Sequence, residues 1–504
     1  MLLRKEKLGY AFGEEGKLIN HLLYMDDLKV FAKDEKQLDQ LIELVFKFSK
    51  DVGMEFGMEK CATMVIKRGV KIKSEGITLP DGKTMKEVDQ EGYKYLGILE
   101  GAEIRQGKMK ELIRKEYLRR IKAVASSWLY GGHVIGSVNS WALGVVRYSA
   151  GVIHWTKKEL KEMDVKTRKI LTTNGCFHQK SSTLRLYLKR KEGGKGLISV
   201  YDCVREGELG MLKYIKESEE ALLKVVASML EDCETKEDYR KRRETERKDG
   251  LRGKKLHGAF LESIEEVADE RTWQWLRAGY LAKSTEAFIF AAQEQALRTR
   301  FTSSKVDGEE IETHCRVCGD QIETIPHIVS GCKKLAQTRY KTRHDKMGLR
   351  VYWELCKKYG VSCTDKWYRE IPDEVRFNSD RSVEIWWDRR VLTSTQMEHN
   401  QPDVVVLDHS NRECIIIDFS VPWDKNVAMK EDEKLERYRP LAQELTRLYG
   451  MKAKVVPVVV GGLGTIPKRL PKFIKQLGIP DVIGGLQTSA LIGTSIIIKT
   501  VLNL

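Results

Sequence analysis

The chain has 504 residues, with 88 Lys and Arg against 73 Asp and Glu, a formal net charge of +15. That length implies several domains rather than one core, and 41% hydrophobic with 32% charged residues excludes a wholly disordered, collagen-like or membrane-embedded chain. The opening Met-Leu-Leu-Arg-Lys-Glu-Lys lacks a signal peptide's apolar run and the ten cysteines make no disulfide framework; a nuclear or cytoplasmic protein that is not secreted, with an anionic partner, is expected.

The first predicted element is a β-hairpin over 17–32, where Tyr24-Met25-Asp26-Asp27 lies between two apolar runs and puts Asp26 and Asp27 at the tip. Clustered carboxylates can hold Mg²⁺ against a primer hydroxyl and a triphosphate, although an Asp-Asp pair in any turn looks similar. Downstream come Gly53-Met54-Glu55-Phe56-Gly57-Met58-Glu59-Lys60-Cys61 and Tyr93-Lys94-Tyr95-Leu96-Gly97. In that order these resemble the successive palm motifs of reverse transcriptases. The resemblance implies RNA-directed DNA polymerase chemistry, with residues 24–27 as the catalytic box, 95–97 as the primer grip and Lys60 as a nucleic-acid contact. The family's palm holds a further metal-binding aspartate on a strand well upstream. Here 25 residues precede Asp26, and their acids, Glu6, Glu14 and Glu15, stand on no apolar strand. An incomplete palm without polymerase activity is therefore expected.

From 105 to 122 there are eight basic and two acidic residues, while Met109, Leu112, Ile113, Tyr117, Ile121, Val124, Ala125 and Trp128 recur at helical spacing. This predicts a helix with one core face and one basic face, on which Arg114, Lys115, Arg119 and Arg120 track phosphates. Residues 150–300 read as mostly helical, broken at Gly193-Gly194-Lys195-Gly196, which lacks the strand-then-helix setting of a phosphate loop and reads as a turn. Residues 236–255 carry ten basic and five acidic residues, as suited to a solvated helix as to nucleic acid. Trp273, Trp275, Leu276 and Tyr280 read as a core stripe.

Cys315-x2-Cys318-x8-His327-x4-Cys332 can close a tetrahedral Zn²⁺ site, the first pair on a turn and the second on a short helix. Four protein ligands leave no open position, so the role is structural; His314 is a substitute ligand. The remaining cysteines, Cys61, Cys176, Cys203, Cys233, Cys356, Cys363 and Cys414, read as core residues.

Further on, Pro402-Asp403 leads a strand, Cys414-Ile-Ile-Ile-Asp418 forms a second, a long helix follows with Leu435, Tyr438, Leu441, Leu445 and Leu448 inward, and residues 453–460 make a third strand. Two carboxylates on neighbouring strands, backed by a lysine, suit Mg²⁺-dependent phosphodiester cleavage. The pattern is similar to PD-(D/E)-x-K nucleases, with Asp403 and Asp418 in the acidic positions and Ser420 where the lysine usually stands. Helical spacing puts Glu431, Lys434 and Tyr438 on one face.

Together these segments resemble the C-terminal part of a non-LTR retrotransposon reverse transcriptase carrying a restriction-like endonuclease. In that family the lysine moves to the helix, at the place of Lys434, and a basic residue usually precedes Pro-Asp, where Gln401 stands here. The resemblance implies an α+β multidomain chain: part of a palm at 1–100, a helical thumb at 101–170, a helical linker at 171–304, a zinc knuckle at 305–345, an α/β restriction-endonuclease-like domain at 375–480 and a C-terminal helix at 481–504. It implies Mg²⁺ and Zn²⁺ as cofactors, the element's RNA and double-stranded target DNA as partners, and DNA nicking that primes reverse transcription. No membrane partner is expected, since the apolar stretch at 489–502 is short and interrupted. A catalytically inactive nucleic-acid-binding remnant and a host DNA nuclease are the alternatives.

Overall fold

A computed structural model describes residues 3, 7–13, 16–89, 91–394 and 396–504. Glu6, Glu14 and Glu15 lie outside the described residues. The chain forms two compact units assembled from alternating stretches: Met1–Ile121, Ser140–Lys166 and Ser199–Lys241 in one, and Lys122–Asn139, Thr167–Ile198 and Arg242–Leu504 in the other.

In the first unit, β1 (His21–Tyr24) and β2 (Asp27–Val30) pair antiparallel, Tyr24 opposite Asp27. Helix α1 (Glu35–Asp51) starts where the Asp34 carboxylate accepts the Gln37 N–H at 2.9 Å. Its Ile42 packs with Leu79 and Met85. A second hairpin joins β3 (Tyr93–Tyr95) to β4 (Ile98–Glu100). The amphipathic α2 (Gln106–Ser126) buries Met109, Ile113, Tyr117, Ile121, Val124 and Ala125. Leu112 is exposed instead, because the buried stripe advances mainly in steps of four and leaves it at the rim, and Trp128 lies past the helix end, fully exposed. Helix α3 (Val200–Glu217) is capped by Ser199.

Helix α4 (Lys236–Arg252) balances much of its charge internally: Arg242 and Arg243 pair with Glu246, and Lys248 with Glu244. In the second unit, residues 193–196 form a turn, as expected; a side chain at Gly194 would strike the Leu188 carbonyl at 2.1 Å. That turn delivers Lys195 to the buried Glu286 of α5 (Lys283–Gln293), 2.7 Å away, with Arg190 on the other oxygen at 2.6 Å. The aromatic stripe only partly holds: Trp275 and Leu276 are buried, but Gly279, at φ 71°, ends the short helix and leaves Tyr280 exposed. Cys233 is also exposed, and all ten cysteines are free.

Behind α6 (Lys341–Tyr359) lies a sheet in the order β5 (Val375–Phe377), β6 (Val383–Trp387), β7 (Val404–Asp408), β8 (Glu413–Ser420), β9 (Lys452–Val459). Neighbours are antiparallel except β8 and β9, which run parallel and are joined by α7 (Val427–Tyr449). The β-period sorts the sheet into two faces. Val404, Val406, Ile415, Ile417 and Phe419 pack with Met347, Val351 and Leu355 of α6, while Val405, Leu407, Cys414 and Ile416 meet Tyr438, Leu441 and Leu445 of α7. Leu448, expected inward, is exposed, and in the last turn of α7 it is Tyr449 that meets the sheet, its ring 6.3 Å from that of Trp386. Pro457 stands opposite Asp418 on β9, the edge strand, where a residue without an N–H is tolerated.

After α8 (Leu470–Leu477), the last helix α9 (Ile483–Leu502) extends further upstream than the apolar stretch at 489–502. The segment Pro480–Leu502 is long and apolar enough to cross a membrane by length and composition, yet 61% of its apolar window is buried inside the protein. Ile483, Leu486 and Ala490 join the core below the sheet, and Leu491, Ile498 and Val501 join the core around α5.

Truncating Leu441 to Ala leaves a cavity between α7 and the sheet and is expected to cost about 2–5 kcal/mol. Leu448→Ala should cost under about 0.5 kcal/mol. Denaturant midpoints of the two variants check the assignment of faces.

Candidate functional site

The first cluster is built by two tight turns. Asp26 and Asp27 follow Met25, which sits in the left-handed region at φ 56°; a non-glycine residue there costs about 1–3 kcal/mol and is held by the closing strands. In the second hairpin both turn residues, Leu96 (φ 46°) and Gly97 (φ 79°), have positive φ, the requirement of a two-residue type I′ connection. Tyr148 donates to the Leu96 carbonyl at 2.5 Å. The hairpins are tied together by an ion pair between Lys29 and Glu100, with the Lys29 ammonium 5.3 Å from the Tyr95 ring centre. Burial, with smaller contributions from Asp27 and Glu100, holds the Tyr93 and Tyr95 hydroxyls above their usual range. Tyr24 and Met25 are exposed beside the acids, and Lys60 is exposed at the end of a short turn.

On α2 the four cations differ. Glu116 accepts from Arg119 at 2.7 Å and Arg120 at 2.8 Å, and these bonds pull its carboxyl down to about 2. Arg120 also stacks 5.0 Å from the Trp141 ring centre and donates to its carbonyl. Lys115 projects into solvent and Arg114 is half-buried.

The ligand atoms of Cys315, Cys318, His327 and Cys332 all lie within 4.8 Å of one another, the one group of three or more Cys, His, Asp or Glu residues among the described residues that converges so tightly. Cys315 and Cys318 flank a turn, His327 opens a short helix and Cys332 follows its end. Gln321 Oε1 lies 3.0 Å from His327 Nδ1, leaving Nε2, 3.4 Å from Cys318 Sγ, toward the thiols. Tyr340 accepts the Cys332 N–H and donates to the Ile328 carbonyl. Burial, then the neighbouring Cys315, pushes the Cys332 thiol up to about 11. Three sulfurs and one imidazole at this spacing fit a tetrahedral Zn²⁺. His314 stands outside, 3.4 Å from Glu312.

At the sheet end, Val404 pairs with Ile417, so the same register carried one step further sets Asp403 opposite Asp418. Directly opposed residues of an antiparallel pair project to the same face. Strand β8 runs two residues beyond Asp418, to Ser420, and its Phe419 N–H donates to Asp403 Oδ2 at 2.7 Å. From α7, Lys434 Nζ lies 2.5 Å from Asp418 Oδ2, both side chains largely buried. Tyr438, one turn on, donates to the Gln401 carbonyl at 3.4 Å, and burial and then the nearby Asp418 charge raise its hydroxyl above the usual range. Burial and then the Asp403 charge raise the Asp418 carboxyl, while Lys434 and Tyr438 pull it back. Two opposed carboxylates whose repulsion a cation would relieve are hard oxygen donors of the kind Mg²⁺ takes.

Glu431 is not brought into this group. It is buried against Arg469, whose Nε lies 2.9 Å from Oε2, and burial lifts its carboxyl to about 7. Gln401, in place of a basic residue, bonds the Asp388 carbonyl. The group gains a member that spacing did not reveal: His344 on α6, with Nε2 3.2 Å from Asp403 Oδ2 and Nδ1 3.1 Å from Asp345. Burial lowers its affinity for a proton, but the hydrogen bonds to Asp345 and Asp403 prevail and push it up to about 10.

Purified chain is expected to carry one equivalent of zinc by elemental analysis, and Cys318→Ser should release it and lower the melting temperature of the second unit. Retained stability with no zinc would refute the assignment.

With this geometry in place, comparison with known proteins gives one match and one blank. No curated protein matches the chain. Residues 4–99, which include both tight hairpins, match the family model for reverse transcriptase (RNA-dependent DNA polymerase), so the N-terminal part of this chain is reverse-transcriptase-related.

Proposed function

We propose that the chain is part of a non-LTR retroelement protein in which a reverse-transcriptase-related segment accompanies a Mg²⁺-dependent DNA-nicking centre formed by Asp403, Asp418 and Lys434. Its partners are the element's RNA and double-stranded target DNA, and the 3′ hydroxyl freed by nicking primes copying of the RNA. The observation that carries the reading is the cross-strand pairing of Asp403 with Asp418 and the Lys434 ammonium on the same carboxylate.

Asp403 and Asp418 would hold Mg²⁺, which when bound supplies Lewis-acid activation of the phosphodiester and acidification of a water. Lys434 places a fixed positive charge where the attacked phosphate gathers negative charge, a contribution available only from a preorganised, largely dry position. Tyr438, beside Asp418, can turn its hydroxyl from the Gln401 carbonyl to a phosphate oxygen. Ser420, on the strand, adds no charge. The knuckle of Cys315, Cys318, His327 and Cys332 is structural, since four protein ligands leave no position for substrate.

For the reverse-transcriptase-related segment the proposal is narrower. Asp26 and Asp27 are presented at a hairpin tip, and among the described residues no third acid joins them in a converging group. We therefore expect no primer extension by this chain alone, whereas its basic α2 face contributes nucleic-acid affinity.

The deciding assay is nicking of supercoiled DNA with Mg²⁺. Asp418→Ala should abolish it, and Lys434→Ala should reduce the rate about 10²–10³-fold, the scale of losing one preorganised electrostatic group. Full activity in Lys434→Ala would transfer the role to another cation, and no nicking by the unmodified chain would favour a nucleic-acid-binding remnant. Separately, replacing Arg114, Lys115, Arg119 and Arg120 by Gln should flatten the salt dependence of binding by a slope of about 2–4. An unchanged slope would make the face merely solubilising.

A further inference from the structure

We propose that His344 is a positioning residue for the nicking centre: backed by Asp345, it fixes the Asp403 carboxylate for a divalent cation. The proposal rests on the nuclease reading above and adds to it a residue that lies outside the acid-and-lysine pattern, on a different helix.

Three observations converge. First, the imidazole spans two carboxylates, with Nδ1 3.1 Å from Asp345 Oδ1 and Nε2 3.2 Å from Asp403 Oδ2. Second, the same Asp403 oxygen accepts the Phe419 N–H at 2.7 Å, so Oδ2 is held from two elements, the β8 backbone and α6. Two donors on one oxygen restrict the rotation of the carboxylate and leave Oδ1 without either of these contacts, free to take a cation. Third, the helix is seated where it must be for this contact. Gly348, one turn after His344, would place a Cβ 2.7 Å from the Phe419 ring, so only a residue without a side chain lets α6 come this close. The His344 ring meets that same Phe419 ring edge-on, with centroids 6.0 Å apart and planes at 77°, which restricts rotation of the imidazole.

A carboxylate free to rotate must lose that freedom when it binds a cation. One already oriented by its neighbours loses less, and removing such outer partners costs metal sites about 10–100-fold in affinity. His344 does not touch substrate in this account and supplies no proton.

The test is direct cation binding by the full chain, with Mn²⁺ as the probe and free Mn²⁺ followed by electron paramagnetic resonance. Asp418→Ala defines which binding belongs to this site. The unmodified chain should bind one Mn²⁺ that Asp418→Ala removes, His344→Ala should weaken that binding about 10–100-fold, and His344→Gln, whose amide can still donate to Asp403, should recover most of the loss. Asp345→Ala lies at the outer end of the chain, does not disturb the Phe419 contact, and should cause a smaller loss. It tests the idea even if His344→Ala does not fold. Mn²⁺ affinity that is unchanged or tighter in His344→Ala and Asp345→Ala, with binding still abolished by Asp418→Ala, overturns this proposal and spares the nuclease reading. Absence of any Asp418-dependent Mn²⁺ binding in the unmodified chain overturns both.

Discussion

Two carboxylates opposed across one strand pair set the terms for the C-terminal part of this molecule. Asp403 and Asp418 are neighbours because Val404 pairs with Ile417, and that pairing is enforced by alternating apolar residues buried on both faces of the sheet. A slip of one residue would send every one of those side chains to the wrong face, so the register that protects the core also fixes the acids. Their mutual repulsion in a poorly solvated place is a standing cost. The surroundings answer it with a lysine from α7, a backbone N–H from β8 and a histidine from α6. Helices on opposite faces of the sheet thus meet at its end through polar groups, whereas elsewhere they meet it through apolar ones.

How much of this was legible beforehand depended on how local each feature is. The Asp26-Asp27 hairpin, the knuckle and the strand-helix-strand run around Asp418 are encoded within short windows, as turn chemistry, ligand spacing and period-two or period-four patterning. The partner of Asp403 was not legible in the same way. His344 sits 59 residues before it on an amphipathic helix, and an adjacent His-Asp pair on such a helix carries no spacing that points to a particular strand. Glu431 illustrates the opposite error. Helical spacing groups it with Lys434 and Tyr438, but a helix face is broad, and Arg469 from a later segment claims it. The alternation along the chain between stretches of the two compact units was equally hidden, since amphipathic helices state that they have a buried side without stating against what.

The two prospective metal centres differ in how they are held. The knuckle draws all four ligands from an 18-residue span, 315 to 332, and depends on turns that a bound ion would help to close. The acid pair depends on a finished sheet with helices on both sides. Buried charge of this assembled kind recurs away from any proposed chemistry, in Glu286, whose two oxygens are each met by a cation, Arg190 and Lys195, and whose role is to join a glycine turn to a helix. The distinction matters for reading function: a satisfied buried ion pair stabilises one arrangement, while opposed like charges leave a capacity to be filled.

Pro457, on the outer strand β9, has a consequence beyond local geometry. A sheet whose last strand offers an unbroken row of backbone donors and acceptors invites another chain to add itself by strand pairing. Here that row lacks one donor, at the level of Asp418. The strand is also covered there, since Pro457, Val458 and Val459 are buried, so the edge beside the acids is closed to strand pairing by packing as well as by the missing donor. At a covered edge an outward N–H would have no water to bond, and a proline has none to leave unsatisfied.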